Sequence, residues 1–384
     1  MTDKDHNPSS THPPLPPTSE DDQFSRLRLL RSRRVGVTTY KRLLTEYGTA
    51  QNALAALPEV ARAAGAEHYE ICPEAVITAE LKAARAAGAR LVVQGTPAYP
   101  MLLDDLDDAP PFLWVIGDPA ILSRPMISMV GARNASSLGT RMAKALARDL
   151  AAEGYIVVSG LARGIDTAAH FAALDTGTIA VQAGGVDIIY PAENTELAQK
   201  IPASGLRISE QPMGLQPMAR HFPSRNRIIA GLSRATVVVE AAAKSGSLIT
   251  ARDALDAGRD VLAVPGHPFD ARAAGCNMLI RDGATLVRSA TDVIEALSSI
   301  APHATPAQPQ TTRPPQAPAV PRQRLTIAAL HRKILSHLGP SPVAEDQLLR
   351  DLSVSAADMA PALVDLELDG KIKRQSGGLL ALAN

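Results

Sequence analysis

Aromatic residues make up only 3% of this 384-residue chain, with one Trp, six Tyr and five Phe. A binder of nucleic-acid bases built on rows of stacking rings would need more of them. Only two cysteines occur, Cys72 and Cys276, far apart and in no Cys-x-x-Cys or Cys/His zinc spacing. That excludes a disulfide-dense secreted scaffold and a zinc finger, and it fits a reducing cytoplasm. Neither sign of charge is in excess: Lys plus Arg and Asp plus Glu are both 39, for a formal net charge of zero. Bulk charge therefore attracts no polyanion, and nucleic-acid binding requires a local basic patch.

Long apolar runs are missing too. No stretch reaches the length of a membrane span, and residues 1–22, rich in Pro, Ser, Thr and Asp, have no signal-peptide hydrophobic region. Neither secretion nor a membrane span is expected. Gly-x-x-x-x-Gly-Lys-Ser/Thr and Gly-x-Gly-x-x-Gly are both absent, which argues against tight ATP or NAD binding. No cofactor, metal or catalytic residue is expected.

What is present is a 46% hydrophobic chain long enough for two or three domains. After a polar lead over 1–23, expected to be disordered, residues 24–88 show helical apolar spacing, with Leu27, Leu29, Leu30, Leu43, Leu44, Leu54 and Leu57 as core candidates. They read as a small helical domain of helix-hairpin-helix or SAM-like type. Its Val35-Gly36-Val37-Thr38-Thr39 turn suits either a DNA phosphate or plain packing.

Over 89–300 short apolar runs alternate with helix-length segments. The runs are Leu91-Val92-Val93, 126–130, 155–158, 178–183, 235–239 and 260–264. This is the pattern of an α/β, Rossmann-like, doubly wound parallel sheet covered on both faces. Residues 301–325 are dense in Pro, Ala, Gln and Thr and read as a linker. Beyond it, helices over 326–338, 344–352 and 355–369 and a hairpin over 371–380 resemble a winged helix.

The chemistry-bearing motifs sit where strands give way to helices. Ser159-Gly160-Leu161-Ala162-Arg163-Gly164 follows one apolar run, and Gly131-Ala132-Arg133-Asn134 follows another. Glycine-rich strand-to-helix turns present backbone N–H groups to anions, and each of these two adds an arginine whose fork suits phosphate. Ligands of doubly wound sheets bind at the carboxyl ends of the strands, where Gly184-Gly185, Glu240 and Pro265-Gly266 also fall. Asp166 is read as a helix cap. The paired cations Arg225 and Arg227, flanking Asn226, are placed at the start of a helix at Ile228, where they suit a phosphate.

Read with Phe222-Pro223-Ser224-Arg225-Asn226-Arg227-Ile228-Ile229 and Ser245-Gly246-Ser247-Leu248-Ile249-Thr250-Ala251, these turns resemble the DNA processing protein DprA (Smf) family. Further matches are Tyr190-Pro191, Glu193-Asn194, Val264-Pro265-Gly266, Gly275-Cys276-Asn277 and Gly283-Ala284. The chain departs from the family pattern at Gln182-Ala183 and at His267. The resemblance implies a non-catalytic protein of natural transformation that coats and protects incoming single-stranded DNA, helps load the recombinase RecA, displaces single-strand-binding protein, and forms a homodimer.

Carried over by motif, the phosphate-binding residues are Gly131, Arg133, Asn134, Ser159, Gly160, Leu161, Ala162, Arg163, Gly164, Asn194, Arg225, Asn226, Arg227, Ser245, Gly246 and Ser247. The few aromatics near the motifs, Phe171, Tyr190, Phe222 and Phe269, imply that stacking contributes less than phosphate contact.

Two other readings remain. Glu240 ahead of the Ser-Gly-Ser turn resembles nucleotide hydrolases of the lysine-decarboxylase-like group, whose Pro-Gly-Gly-x-Gly-Thr loop is missing here. A structural adaptor working through its tail is the other. Residues 326–384 carry six Lys plus Arg against seven Asp plus Glu, and the third predicted helix has Asp358, Asp365, Glu367 and Asp369 with no cation. Such a helix suits a protein-contact or regulatory module better than a DNA groove.

Overall fold

The computed structural model describes residues 19–300 and, further on, 327–338, 343–344, 348–349, 352, 354, 356–375 and 379–382. The expected linker over 301–325, and the expected lead up to residue 18, lie outside the described residues. The lead stops short of 23 because the first helix, α1 (Glu20–Arg31), already begins there. The Ser19 hydroxyl accepts the Asp22 N–H at 3.1 Å, and Glu20, Asp21 and Asp22 in the first turn complement the helix dipole.

Helices α2 (Val37–Tyr47), α3 (Ala50–Ala63) and α4 (Glu74–Ala86) complete the helical segment. Gly36 stands at the N-terminus of α2, and the preceding Val35 is buried. The leucines anticipated from spacing form its core, with Leu30 at the margin. That core is continuous with Phe112 and Trp114 of the sheet. One buried polar link fastens the seam: Glu80 accepts from Trp114 Nε1 at 2.7 Å and from the Arg31 guanidinium at 2.8 and 3.0 Å.

The chain then builds a nine-stranded sheet from β1 (Arg90–Val93), β2 (Phe112–Gly117), β3 (Met126–Val130), β4 (Ile156–Ser159), β5 (Thr178–Val181), β6 (Leu206–Ser209), β7 (Ala235–Val238), β8 (Asp260–Ala263) and β9 (Thr285–Leu286). Spatial order is β1-β2-β6-β5-β4-β3-β7-β8-β9. The pairings β1/β2 and β2/β6 are antiparallel and the rest parallel, so the expected parallel sheet carries an antiparallel edge. The helices are α5 (Met101–Asp104), α6 (Ser137–Ala152), α7 (Ile165–Ala172), α8 (Thr195–Lys200), α9 (His221–Leu232), α10 (Ser247–Asp256), α11 (Ala274–Arg281) and α12 (Ala290–Ile300).

Side chains alternate across the central strands. Met126 and Val130 of β3, Ile156 and Val158 of β4, and Val238 of β7 enter one core with Ile228 and Ile229 of α9 and Ala251 of α10. Ile127, Met129, Val157 and Val237 enter the other, with Leu146 and Leu150 of α6 and Ala168 of α7. Three strands escape the apolar-run criterion. β2 follows two prolines, β6 interrupts its pattern with Arg207 and Ser209, and β9 has two residues.

Residues 306–384 form a separate unit. It holds α13 (Ile327–His337), α14 (Ala356–Leu368) and an antiparallel sheet of β10 (Val343–Ala344), β12 (Leu379–Leu382) and β11 (Ile372–Gln375), in that order. Leu330, Ile334, Leu348, Met359, Leu363, Ile372 and Leu380 make its core. Ala344, expected to open a helix, lies instead in β10. This is the winged-helix arrangement, with the tip of the hairpin, 376–378, outside the described residues.

Candidate nucleic-acid interface

Strand order reverses between β3 and β7: from β3 the chain winds to β4 on one side, from β7 to β8 on the other. A crevice opens at the carboxyl ends of strands at such a switch point. Here it is a cleft of about 770 Å³ whose walls include Gly131, Arg133 and Asn134 after β3, Ala162 after β4, Phe222, Arg225 and Asn226 from α9, and Lys244, Ser245, Gly246 and Ser247 ahead of and opening α10. Much of the motif set, dispersed over more than a hundred positions, is thus brought together.

The glycine-rich turn after β4 departs from the anion cradle expected of it. Three of its amides, those of Gly160, Leu161 and Ala162, are already engaged by the chain's own groups. The Asp166 carboxylate accepts the N–H groups of Gly160 and Ala162 at 3.1 and 3.3 Å, so Asp166 ties down the preceding turn rather than capping the helix ahead. His170 Nε2 accepts the Leu161 N–H at 3.3 Å. Its Nδ1 therefore carries the proton and donates to Thr178 Oγ1 at 2.8 Å, while that hydroxyl donates to Val157 O at 2.6 Å. Burial, reinforced by the positive charge of Arg225, pushes the imidazole down to about 3, so this histidine is neutral.

Three predicted contacts are structural for the same reason. Ser159 is fully buried and its hydroxyl donates to Met129 O at 2.6 Å. Leu161 is buried against Ala180, Leu197 and Ile201 and holds a φ of +56°, a left-handed conformation that costs a non-glycine residue about 1–2 kcal/mol. Asn194, also buried, donates from Nδ2 to Leu161 O at 2.8 Å and braces that conformation from behind. Gly160 is required by close approach, since a Cβ there would lie 2.0 Å from Arg225 Nη1. Gly164 combines a φ of +76° with a Cβ position 2.2 Å from Ala132 O. Arg163 is exposed, sits 3.5 Å from Glu193, and is absent from the cleft wall.

The two arginines of α9 also separate. The helix begins at His221, seven residues earlier than expected, so neither arginine stands at its N-terminus. Two positions apart on a helix they point to nearly opposite sides. Arg227 faces away from the cleft and pairs with Asp108 at 3.1 Å and Glu210 at 2.6 Å. Arg225 forms the cleft floor. Its Nη1 donates to Gly160 O at 2.5 Å and Val181 O at 2.7 Å, and its Nε donates to Asn226 Oδ1 at 3.2 Å. Burial pushes this guanidinium down to about 10 against the opposing pull of Asp166, and burial pushes Asp166 up against the pull of Arg225.

Above this floor lies Phe222, half-buried, with the guanidinium of Arg133 5.4 Å and that of Arg225 6.0 Å from its ring centre and Tyr190 tilted against it at 5.8 Å. Such packing holds a cation over an aromatic face. Arg133 and Lys244 are exposed, and neither has a carboxylate partner among the described residues. Arg272, from the loop after β8, joins the wall and pairs with Asp270. Lys244 and Arg272 escaped the sequence reading. Lys244 immediately precedes the Ser-Gly-Ser turn and was open to detection there, whereas Arg272 reaches the cleft only through the path of its loop.

The Ser-Gly-Ser turn is part scaffold: the Ser245 hydroxyl accepts the Ser247 N–H at 3.3 Å, and the Ser247 hydroxyl donates to Gly131 O at 2.8 Å. Glu240 is spent in similar fashion. Its carboxylate accepts the Ser136 N–H at 2.9 Å and the Ser136 hydroxyl, and a Cβ at Gly139 would lie 2.4 Å from its Oε2. The N-terminus of α6, where a Rossmann fold commonly seats a nucleotide phosphate, is thus filled by the chain's own anion. Glu240 is engaged in holding the start of α6, and this geometry argues against the hydrolase reading. Among the described residues no three His, Cys, Asp or Glu side chains are placed to share a metal ion, and no helix is long and apolar enough to cross a membrane.

Residues 90–298 match the family model of DNA recombination-mediator protein A. The chain belongs to that family. The flanking segments match the DprA-like N-terminal HHH domain over 20–83 and the DprA winged helix domain over 304–378. The DprA relatives include the DNA processing protein DprA of Streptococcus pneumoniae, 46% identical over 198 residues that span 51% of this chain and 70% of that protein. Protein Smf of Escherichia coli is 35% identical over 295 residues, 76% of this chain and 77% of its own length. The solved structure of S. pneumoniae DNA processing protein A superposes with a TM-score of 0.61 at 36% identity, covering 71% of this chain and 97% of that one. That of Helicobacter pylori DNA processing protein A, determined with respect to its single-stranded DNA binding mode, gives 0.51 at 30% identity, covering 55% and 96%.

Proposed function

We propose that the cleft between β3, α9 and α10 grips the phosphate backbone of single-stranded DNA without reading its sequence and without catalysis. The observation that carries this reading is the charge of the cleft in a chain whose net charge is zero. Arg133, Arg225, Lys244 and Arg272 line it with one carboxylate, Asp166, and that carboxylate is already occupied by two amides. Two of the four cations, Arg133 and Lys244, are exposed and have no carboxylate partner among the described residues. Phe222, held between guanidinium groups and Tyr190, supplies one platform for a base.

In this reading Arg133, Asn134, Lys244, Arg272 and the Ser245-Gly246 backbone meet the strand, while Gly160, Leu161, Asn194 and Arg225 fix the surface they stand on. The single-stranded DNA binding mode of the H. pylori relative and the recombination-mediator family support a reading in which the bound strand is passed to a recombinase. We take RecA as that partner, displaced single-strand-binding protein as the competitor, a homodimer as the working form and the cytoplasm as the location.

Fluorescence anisotropy of labelled oligo-dT across a salt series tests the cleft. Three accessible cations give a slope of log affinity against log salt of about −2 per protomer, and Arg133→Ala or Lys244→Ala removes about 0.7 of it each. Excess duplex DNA competes weakly. Displacement of the strand by a mononucleotide at matching concentration, or an unchanged slope in both variants, refutes the reading.

A further inference from the structure

A second cleft, also of about 770 Å³, lies on the other side of Glu240, between α6 and the loop after β8. The reading above leaves it unused. Its α6 wall presents Arg141, Lys144 and Arg148 at i, i+3 and i+7, one face of the helix. Arg148 is partnered by Asp149. Arg141 and Lys144 are exposed and have no carboxylate partner among the described residues. Of the two acids in its wall, Glu240 is held by Ser136 and Asp270 by Arg272, so the free charge is positive.

The opposite wall is the loop 265–273, which the two clefts share: Pro265, Gly266, His267 and Asp270 face this one, and Arg272 faces the first. At the tip of that loop Phe269 is 95% exposed, its ring 5.7 Å from that of His267. An apolar ring fully in water contributes nothing to the core, and an exposed ring on a loop that also walls a cleft with free cations is a composition that single strands use.

We propose that the DNA strand held in the first cleft continues over this loop into the second, with Phe269 stacking a base at the crossing and Arg141 and Lys144 taking the phosphates beyond it. The inference rests on the single-strand reading of the first cleft. A polyanion suits the second cleft better than an acidic peptide does, because an anionic strand already leads to the shared wall and the loop that forms it carries an exposed ring on which a base can stack.

Two oligo-dT probes separate the clefts, one of about 5 nucleotides and one of about 16, near the ends of the usual range of single-strand site sizes. Wild-type protein binds the longer probe more tightly and with a steeper salt slope. The Arg141→Ala/Lys144→Ala variant loses about 1.4 of that slope and about tenfold in affinity for the long probe, with the short probe unchanged. Phe269→Leu removes the quenching of a 2-aminopurine placed mid-strand in the long probe. All three substituted side chains are exposed, so folding is preserved. Unaltered long-probe affinity, slope and quenching in these variants overturn the second cleft while leaving the first in place. Short-probe binding that survives Arg133→Ala and Lys244→Ala overturns the first-cleft reading and this inference with it.

Discussion

Arg225 is the residue on which the floor of the cleft depends, and Arg225→Met measures how much. The side chain is 5% exposed. Methionine keeps the length and apolar volume, but the carbonyls of Gly160 and Val181, which now accept from Nη1 at 2.5 and 2.7 Å, lose their donor. Each unsatisfied buried acceptor costs about 1–3 kcal/mol. Asp166 also loses the favourable positive charge of Arg225, which leaves its buried carboxylate less stable. These losses overlap, and a net destabilisation of about 4 kcal/mol is expected at neutral pH.

The sign of its pH dependence follows from the titrating groups. Without Arg225 the buried Asp166 carboxyl, already raised, rises further and the folded state holds a proton that the unfolded state releases. Stability of the variant therefore falls as pH increases from about 4, where an unfolded aspartate ionises. His170, relieved of the same positive charge, also protonates more readily, which softens the variant's loss at acid pH. The deficit relative to wild type should thus be smaller at pH 5 than at pH 7.5. Urea unfolding followed by the fluorescence of Trp114, the single tryptophan, gives the midpoints. In the cycle with Asp166→Asn the coupling energy should exceed about 1 kcal/mol. A deficit that is constant with pH and additive with Asp166→Asn would refute the argument.

Three further outcomes are expected. His170, pushed down to about 3 in the folded protein, binds a proton in the unfolded chain from about pH 6.5 downward, so its contribution is complete above that pH and declines towards pH 3. By pH 5 the decline from its high-pH value is about 2 kcal/mol, and His170→Gln flattens that part of the urea-midpoint profile. Glu80→Gln breaks the buried link of Arg31 to Trp114, lowers stability by about 3 kcal/mol and shifts the Trp114 emission maximum; an emission spectrum identical to wild type contradicts the assignment. Gly164→Ala places a Cβ 2.2 Å from Ala132 O at a φ of +76° and should cost at least about 2 kcal/mol while weakening oligo-dT binding, because Ala132 adjoins Arg133.

Local order along the chain carried the periodicities and the turns. Short apolar runs named six of the nine strands, and the leucine spacing of 24–88 named the helical core. Glycine-bracketed strand ends put the candidate interface at the carboxyl edge of the sheet, where the first cleft opens. β6 stayed hidden because Arg207 breaks its apolar pattern while being buried by neighbours remote in sequence. α9 starts seven residues before the expected Ile228, with Pro223 in its first turn, where proline is tolerated.

The sequence by itself therefore determined the architecture and the family, since backbone preference and motif order are local properties. Tertiary structure decided which motif residues line the cleft. Arg225 and Arg227 differ by two positions and go to opposite sides of one helix. Ser159 and Asn194 turn inward because Met129 O and Leu161 O need donors. Glu240 fills the anion site of its own fold, and Lys244 and Arg272 reach the first cleft from different loops. A side chain is free for a ligand only when the fold offers it no partner, and those partners come from segments that sequence spacing does not bring together.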